Sequence, residues 1–151
     1  MNEDQIKNVY IDRLFRVFQV SNRQIQQDMA TTLKELKLTG PQFYILSLLS
    51  TTDSTKSTEL AEQLDVKPSA ITVMIDRLLK NKFVTRERDE RDRRIVKLAL
   101  TSEGKEAFEK AKTLRREIFT RYLSYLEEDD VDRFVSIYEK LAAAIEKDLT
   151  E

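Results

Sequence analysis

The chain has 151 residues, 40% of them apolar and 35% charged, which fits one ordinary domain or a small one with helical extensions. It has no Cys and no His, which removes disulfides, thiolate metal sites, the commonest metal ligand and the commonest general base; no metal, cofactor or enzymatic role is expected. The formal net charge is −1, yet from Lys67 to Lys97 ten Lys or Arg face five Asp or Glu, a local +5 that leaves −6 for the rest. A polyanion is expected to sit on that segment.

Only two Gly and two Pro occur, so long uninterrupted helices are expected. Residues 6 to 36 read as the first. Its apolar stripe is Ile6, Val9/Tyr10, Leu14, Val17/Phe18, Ile25 and Met29, interrupted by Ser21 and Gln24. A second helix opens at Leu38-Thr39-Gly40-Pro41-Gln42, with Thr39 as N-cap, Pro41 in the first turn and Gln42 completing a capping box. From Phe43 to Leu49 it is apolar nearly all round, as in a central buried helix. Residues 50 to 56 read as a polar loop.

Ser57 or Thr58 is then expected to cap a short helix bearing Leu60, Ala61 and Leu64, followed by a turn at Asp65-Val66-Lys67. Pro68 opens a helix that runs to Lys80, with Ile71, Met74/Ile75 and Leu78/Leu79 inward. Ser69, Thr72, Val73, Asp76, Arg77 and Lys80 lie on or beside its outward face. Residues 83–86 and 95–98 read as a strand pair around a charged tip, Glu87 to Arg94. No Gly or Asn offers a tight turn there, so a longer, mobile loop is expected. After Gly104 a long helical pattern runs through Phe108, Ala111, Leu114, Ile118, Tyr122 and Leu126. The acidic cluster Glu127 to Asp130 favours a new helix start, and Val131, Phe134/Val135, Tyr138, Leu141/Ala142 and Ile145 continue it.

No linker, low-complexity tract or repeat interrupts the chain, which reads as one structural unit. The beginning, MNEDQIKNVY, lacks the regions of a signal peptide and no apolar run approaches a membrane span; a soluble, cytoplasmic protein with no membrane partner is expected.

Short helix, turn, longer helix and a β-hairpin with an arginine-dense tip make a helix-turn-helix with a wing, a shape suited to duplex DNA. The fold class expected is mainly α with a small β-wing (α+β), a winged helix-turn-helix core over 37–103. It is flanked by dimerisation helices over 1–36 and 104–151. Small polar residues near the start of a helix in the major groove reach base edges, which suits Ser69 and Thr72; Ala70 and Val73 suit a thymine methyl, and Lys67 a phosphate. Pro68 and Arg77 belong to the same DNA-facing set. In the tip, inserted Arg suits a narrow, negative minor groove, and Asp92 is placed to hold Arg94 extended. Arg86 and Arg88 suit phosphates, which set affinity and register without carrying sequence.

A single helix-turn-helix reads few base pairs, and the terminal stripes exceed what its own core needs, so a homodimer is expected; a monomeric bundle is the alternative. Tyr10, Phe15, Phe18, Phe43, Tyr44 and Tyr122 are candidates for a ligand cavity, although core packing more often explains aromatic stripes.

Leu38-Thr39 with Gln42 and residues 46–49, then residues 58–64, then Pro68-Ser69 to Asp76-Arg77-Leu78, resemble the MarR family of winged-helix regulators. The wing, residues 89–94 running into 98–104, looks like that family's most diagnostic signature; the match covers residues 38 to 104. The resemblance implies a homodimer with interdigitated terminal helices, repressing transcription from near-palindromic promoter sites and released in many members by small phenolic or aromatic ligands. It places Ser69 and Thr72 on the base-reading face and makes Arg94 the minor-groove arginine with Asp92 as its holder; Arg91 and Arg93 carry over less directly. Two departures stand out. The family usually has Gly after the recognition helix, where this chain has Lys82, so Asn81 or Lys82 must manage the exit, with Asn81 the expected left-handed residue. Thiol sensing needs a reactive Cys, and this chain has none. An activator or antirepressor using the same DNA contacts, and a winged-helix module for an acidic protein partner, remain the alternatives.

Overall fold

The computed structural model describes residues 3–149, with side chains from residue 8 onward. Six helices and three strands follow in the order α1 (Glu3–Glu35), α2 (Gly40–Leu49), β1 (Thr55–Lys56), α3 (Ser57–Gln63), α4 (Pro68–Lys80), β2 (Val84–Arg88), β3 (Val96–Leu100), α5 (Ser102–Leu123) and α6 (Glu128–Asp148). The chain divides into two compact units, residues 1–115 and 116–151, instead of the one expected. The division falls inside the continuous helix α5, so no linker composition marks it.

The core of the first unit gathers α2 (Ile45, Leu46, Leu49), α3 (Leu60), α4 (Ile71, Ile75, Leu78), the sheet (Val84, Leu98) and α5 (Phe108, Ala111). Phe43 and Phe108 meet there with ring centroids 5.5 Å apart. Among the described residues, α1 joins this core through Leu33 near its C-terminal end, with Met29 and, just past the helix, Leu36 packed against it. Ile6, the first residue of the expected stripe, has its side chain outside the described residues. In the second unit no residue of α6 is buried.

The capping box at Thr39 forms as the sequence indicates: the Gln42 amide donates to the Thr39 hydroxyl, and Thr39 N–H donates to the Gln42 side chain at 3.0 Å. Gln42 is itself buried, and its Nε2 donates to the Met74 carbonyl (3.4 Å), tying α2 to α4. Three helices end in the same way without glycine. Lys37, Asp65 and Lys82 all have positive φ (58°, 51° and 60°). Behind each, the next residue donates back to the preceding helix: Leu38 to Leu33, Val66 to Ala61, and Phe83 to Leu78. These are Schellman turns carried by residues that bear a Cβ, a conformation costing roughly 1–2 kcal/mol each.

Several sequence expectations are corrected. The exit from α4 is made by Lys82, not Asn81, which stays right-handed at φ −81°. The Asn81 side chain is engaged elsewhere, donating to the Lys37 carbonyl at 3.2 Å. The cap of α3 is Lys56 instead of Ser57 or Thr58; the Glu59 carboxylate reaches back to accept from Lys56 N–H (3.2 Å). The expected loop over 50–56 ends in strand β1, whose Thr55 and Lys56 pair with Leu98 and Lys97. Helix α5 begins at Ser102, ahead of Gly104, because the Thr101 hydroxyl accepts from the Gly104 amide (2.9 Å). A Cβ on Gly104 would stand 1.9 Å from the Phe83 carbonyl oxygen, so only glycine lets the hairpin close against the start of α5.

Candidate nucleic-acid interface

Two structures make the DNA-facing candidates: α4 and the hairpin β2–β3. Along α4, Lys67, Pro68, Ser69, Thr72, Val73 and Arg77 are exposed and Ala70 is half-buried, while Ile71, Ile75 and Leu78 anchor the opposite side in the core. Lys67 caps the helix through its carbonyl, and Pro68 occupies the first turn without an amide hydrogen to leave unpaired. Thr72 donates its hydroxyl proton to the Pro68 carbonyl (2.9 Å). Towards a base edge it therefore offers an acceptor and a methyl group, whereas among the described residues no bond of this kind engages Ser69.

The hairpin is longer than the sequence suggests. Pairing extends through Arg88↔Val96, two residues further out on β2, and β3 ends at Leu100. Arg86 and Arg88 stand two residues apart on β2, hence on one face, and both are exposed. Arg86 also lies 3.9 Å from Asp76 of α4. The loop from Asp89 to Ile95 is built around carboxylates. Asp89 Oδ1 accepts from the amides of Arg91 (2.8 Å) and Asp92 (3.1 Å), and Asp89 Oδ2 meets Lys97 Nζ at 2.7 Å. Ile95 N–H donates to the Asp92 carbonyl and Asp89 N–H to the Ile95 carbonyl, closing the loop from both sides. Where a mobile loop was expected, the backbone has its own hydrogen-bond frame.

Arg94 projects from that frame with its side chain 91% exposed. Asp92 grips it along the planar side of the guanidinium, Nε to Oδ1 at 3.2 Å and Nη2 to Oδ2 at 3.3 Å. Asp92 Oδ1 also accepts the Arg94 amide (3.0 Å). The two-pronged grip fixes the direction of a long side chain before any partner arrives. Arg91 and Arg93 flank it, both exposed. The Lys97 ammonium, then the Asp92 and Arg91 amides, pull the Asp89 carboxyl down to about 2. The Arg94 guanidinium and amide likewise lower Asp92, and Asp89 raises Lys97. Asp92 is legible in the sequence from its spacing to Arg94, whereas the role of Asp89 depends on the cross-strand register that brings Lys97 beside the loop.

The ligand candidates lie on three helices, α1 (Tyr10, Phe15, Phe18), α2 (Phe43, Tyr44) and α5 (Tyr122), and differ in burial. Phe43 is core, packed on Phe108 with the Arg115 guanidinium 5.3 Å above its ring. Tyr10, Phe15 and Tyr44 are exposed, Phe18 is half-buried, and Tyr122 belongs to the second unit. A groove of about 650 Å³ is lined instead by residues such as Leu49, Thr52, Leu100, Lys105 and Phe108. No group of His, Cys, Asp or Glu suited to a metal ion occurs among the described residues.

Residues 38–96, the helix-turn-helix and most of the hairpin, match the MarR family model. The HTH-type transcriptional repressor MdtR of Bacillus subtilis is 38% identical over 126 residues, 83% of this chain and 81% of that protein. The chain belongs to the MarR family. Its members are DNA-binding transcriptional regulators and not enzymes, and this chain is a DNA-binding transcriptional regulator with the winged-helix fold of that family. Among solved structures, a MepR-like protein complexed with pseudoligands is 38% identical, with a TM-score of 0.63 over 90% of this chain and 96% of the other. A mutant MarR from E. coli complexed with operator DNA is 26% identical, with a TM-score of 0.69 over 87% and 95%.

Proposed function

We propose that the protein is a homodimeric repressor that occupies near-palindromic promoter sites in the cytoplasm, one winged helix per half-site. The observation that carries the DNA-binding mode is the Arg94 side chain, exposed yet clamped by Asp92 at the tip of an ordered hairpin beside an exposed α4 face. In this reading Ser69 and Thr72 read base edges, and Ala70 and Val73 contact thymine methyl groups. Lys67, Arg77, Arg86 and Arg88 hold phosphates, and Pro68 sets the start of the reading helix. Arg94 enters the minor groove, flanked by Arg91 and Arg93. The MarR neighbour bound to operator DNA supports this mode, and the repressor named among the relatives supports the sign of regulation.

Dimerisation is supported by exposed apolar surface. Along α1, Tyr10, Leu14, Val17 and Val20 are exposed; along α6, Phe134, Tyr138, Leu141 and Ile145 are exposed at three- and four-residue steps. Helix faces of this kind need a partner, and a second copy offers the same residues in reverse. The helices over 1–36 and 104–151 then form the dimerisation region around a DNA-binding domain over 37–103. Release is proposed to come from a small aromatic ligand, taken where the exposed aromatics Tyr10 and Phe15, with Phe18 and Tyr44, meet the second subunit; the relative crystallised with pseudoligands supports such a site. A ligand that changes the spacing of the two α4 helices by favouring one dimer geometry lowers affinity without touching DNA. The test is selection of bound duplexes from a random pool, followed by binding under rising salt. A steep fall in affinity with retained preference is expected, and equal affinity for random DNA would sink the specific reading.

A further inference from the structure

Lys34 and Lys37 at the end of α1, and Arg77 and Lys80 at the end of α4, line one open groove of about 330 Å³, and no carboxylate is among the residues around it. All four side chains are at least partly exposed, and none has an ion-pair partner among the described residues. That sets them apart from Arg86, Arg94 and Lys97, each of which stands against a carboxylate. Four uncompensated cations repel one another, so the arrangement gains when an anion enters.

The groove is held by bonds between elements. Asn81 of the α4 exit donates to the Lys37 carbonyl at 3.2 Å, and Gln42 at the start of α2 donates to the Met74 carbonyl at 3.4 Å. The Schellman turn at Lys37 and the one at Lys82 fix the two helix ends that meet there. Arg77 lies two helical turns beyond Ser69, about 12 Å along the axis, which is also roughly the width of a major groove. A helix that reads bases with its first turn therefore brings its last turn to the groove edge, where the phosphates are.

We propose that this groove takes a DNA backbone phosphate at the edge of the half-site, making the end of α1 part of the DNA-binding surface. The inference rests on α4 facing the duplex. Lys34 and Lys37 act as point charges and carry no sequence information.

The test compares wild type, the double variant Lys34→Gln/Lys37→Gln and the charge-keeping variant Lys34→Arg/Lys37→Arg, on a duplex selected by the wild type and on a random duplex across a salt series. Both substitutions are at solvent-facing side chains, and the Asn81 bond is to the Lys37 backbone, so equal melting temperatures establish that the Gln pair folds. The expected result is a slope of log affinity against log salt shallower by about 1 for each groove lost, or about 2 for a dimer, on both duplexes equally. The Arg pair should retain the wild-type slope. A folded Gln pair with the wild-type slope overturns the proposal. So does a groove that takes inorganic phosphate, seen as a rise in wild-type melting temperature absent in the Gln pair, while the DNA slopes stay equal. A wild type with no preference for the selected duplex defeats the base-reading role of α4 alone, because the slopes on random DNA still decide the groove.

Discussion

Asp89 and Lys97 face each other across the mouth of the wing, 2.7 Å from carboxylate to ammonium, and through them the arginine tip is joined to the sheet. The other Asp89 oxygen collects the amides of Arg91 and Asp92, so one side chain orders the backbone leading to Arg94. Loss of this carboxylate is expected to loosen the tip while leaving the helical core intact. Asp89→Asn should weaken DNA binding with little change in melting temperature, and Lys97→Gln should do the same more mildly. Wild-type affinity in Asp89→Asn would show that the frame does not prepare the wing.

The same pair sets a pH window. Asp89 titrates at about 2 in the folded chain against its ordinary 3.8, held down first by the Lys97 ammonium and then by the Asp92 and Arg91 amides. A depressed carboxyl contributes fully above its unfolded value and is lost as pH falls through the folded one. The order of the tip should therefore be constant at neutral pH and decline between about pH 4 and pH 2. Amide chemical shifts of Arg91 and Asp92 followed by NMR report this directly; a midpoint at 3.8 or above contradicts the hub. With no His in the chain, no imidazole step is expected between about pH 6 and 8.

At Arg94 the guanidinium, and not charge alone, is required by the two-pronged Asp92 contact. Arg94→Ala should lower operator affinity by roughly 10- to 100-fold, corresponding to about 1.4–2.8 kcal/mol. Arg94→Lys should recover little of it, and Asp92→Ala should fall between. Fluorescence anisotropy on a selected duplex measures all three; full activity of Arg94→Lys would reduce the wing to a general cation.

Base reading by α4 predicts changes in preference more than in overall affinity. Ser69→Ala or Thr72→Val should each relax discrimination at one base pair per half-site by roughly 1–3 kcal/mol. The Thr72 hydroxyl already donates to the Pro68 carbonyl, so its pair should be one that donates from the base or offers a methyl group. Repeating the selection with each variant checks this, and an unchanged consensus would remove that residue from the reading face.

For stability, Gly104 and Lys82 pull in opposite directions. Gly104→Ala places a Cβ within 1.9 Å of the Phe83 carbonyl and should cost about 2–4 kcal/mol in denaturant unfolding. Lys82→Gly relieves a left-handed residue with a side chain and should add roughly 0.5–1 kcal/mol after the extra unfolded-chain entropy is counted. A neutral Gly104→Ala would mean that the hairpin can shift away from α5.

Local chemistry made much of this fold legible. Thr39, Pro41 and Gln42 announce α2, Pro68 announces α4, and the acidic run before Val131 announces α6, because each satisfies helix-end groups within a few residues of itself. What was hidden depended on distant partners. Strand β1 is two residues long and exists because Leu98 and Lys97 lie opposite it. Lys82 takes the left-handed position although Asn81 is intrinsically the better candidate, because the Asn81 amide is engaged by Lys37. In the wing, the pair Asp92 and Arg94 is visible at a spacing of two, whereas Asp89 and Lys97 meet only once the hairpin register is set. The groove formed by Lys34 and Lys80 is hidden in the sequence for the same reason, since helices α2 and α3 and strand β1 lie between the helices that carry them.

Whether two copies present their α4 helices and wings to one operator is decided by hydroxyl-radical footprinting on a selected duplex, with wild type and Arg94→Ala side by side. Two protected half-sites about 10 base pairs apart are expected, with flanking minor-groove protection that disappears in Arg94→Ala. A single protected half-site, or flanking protection indifferent to Arg94, would contradict that arrangement.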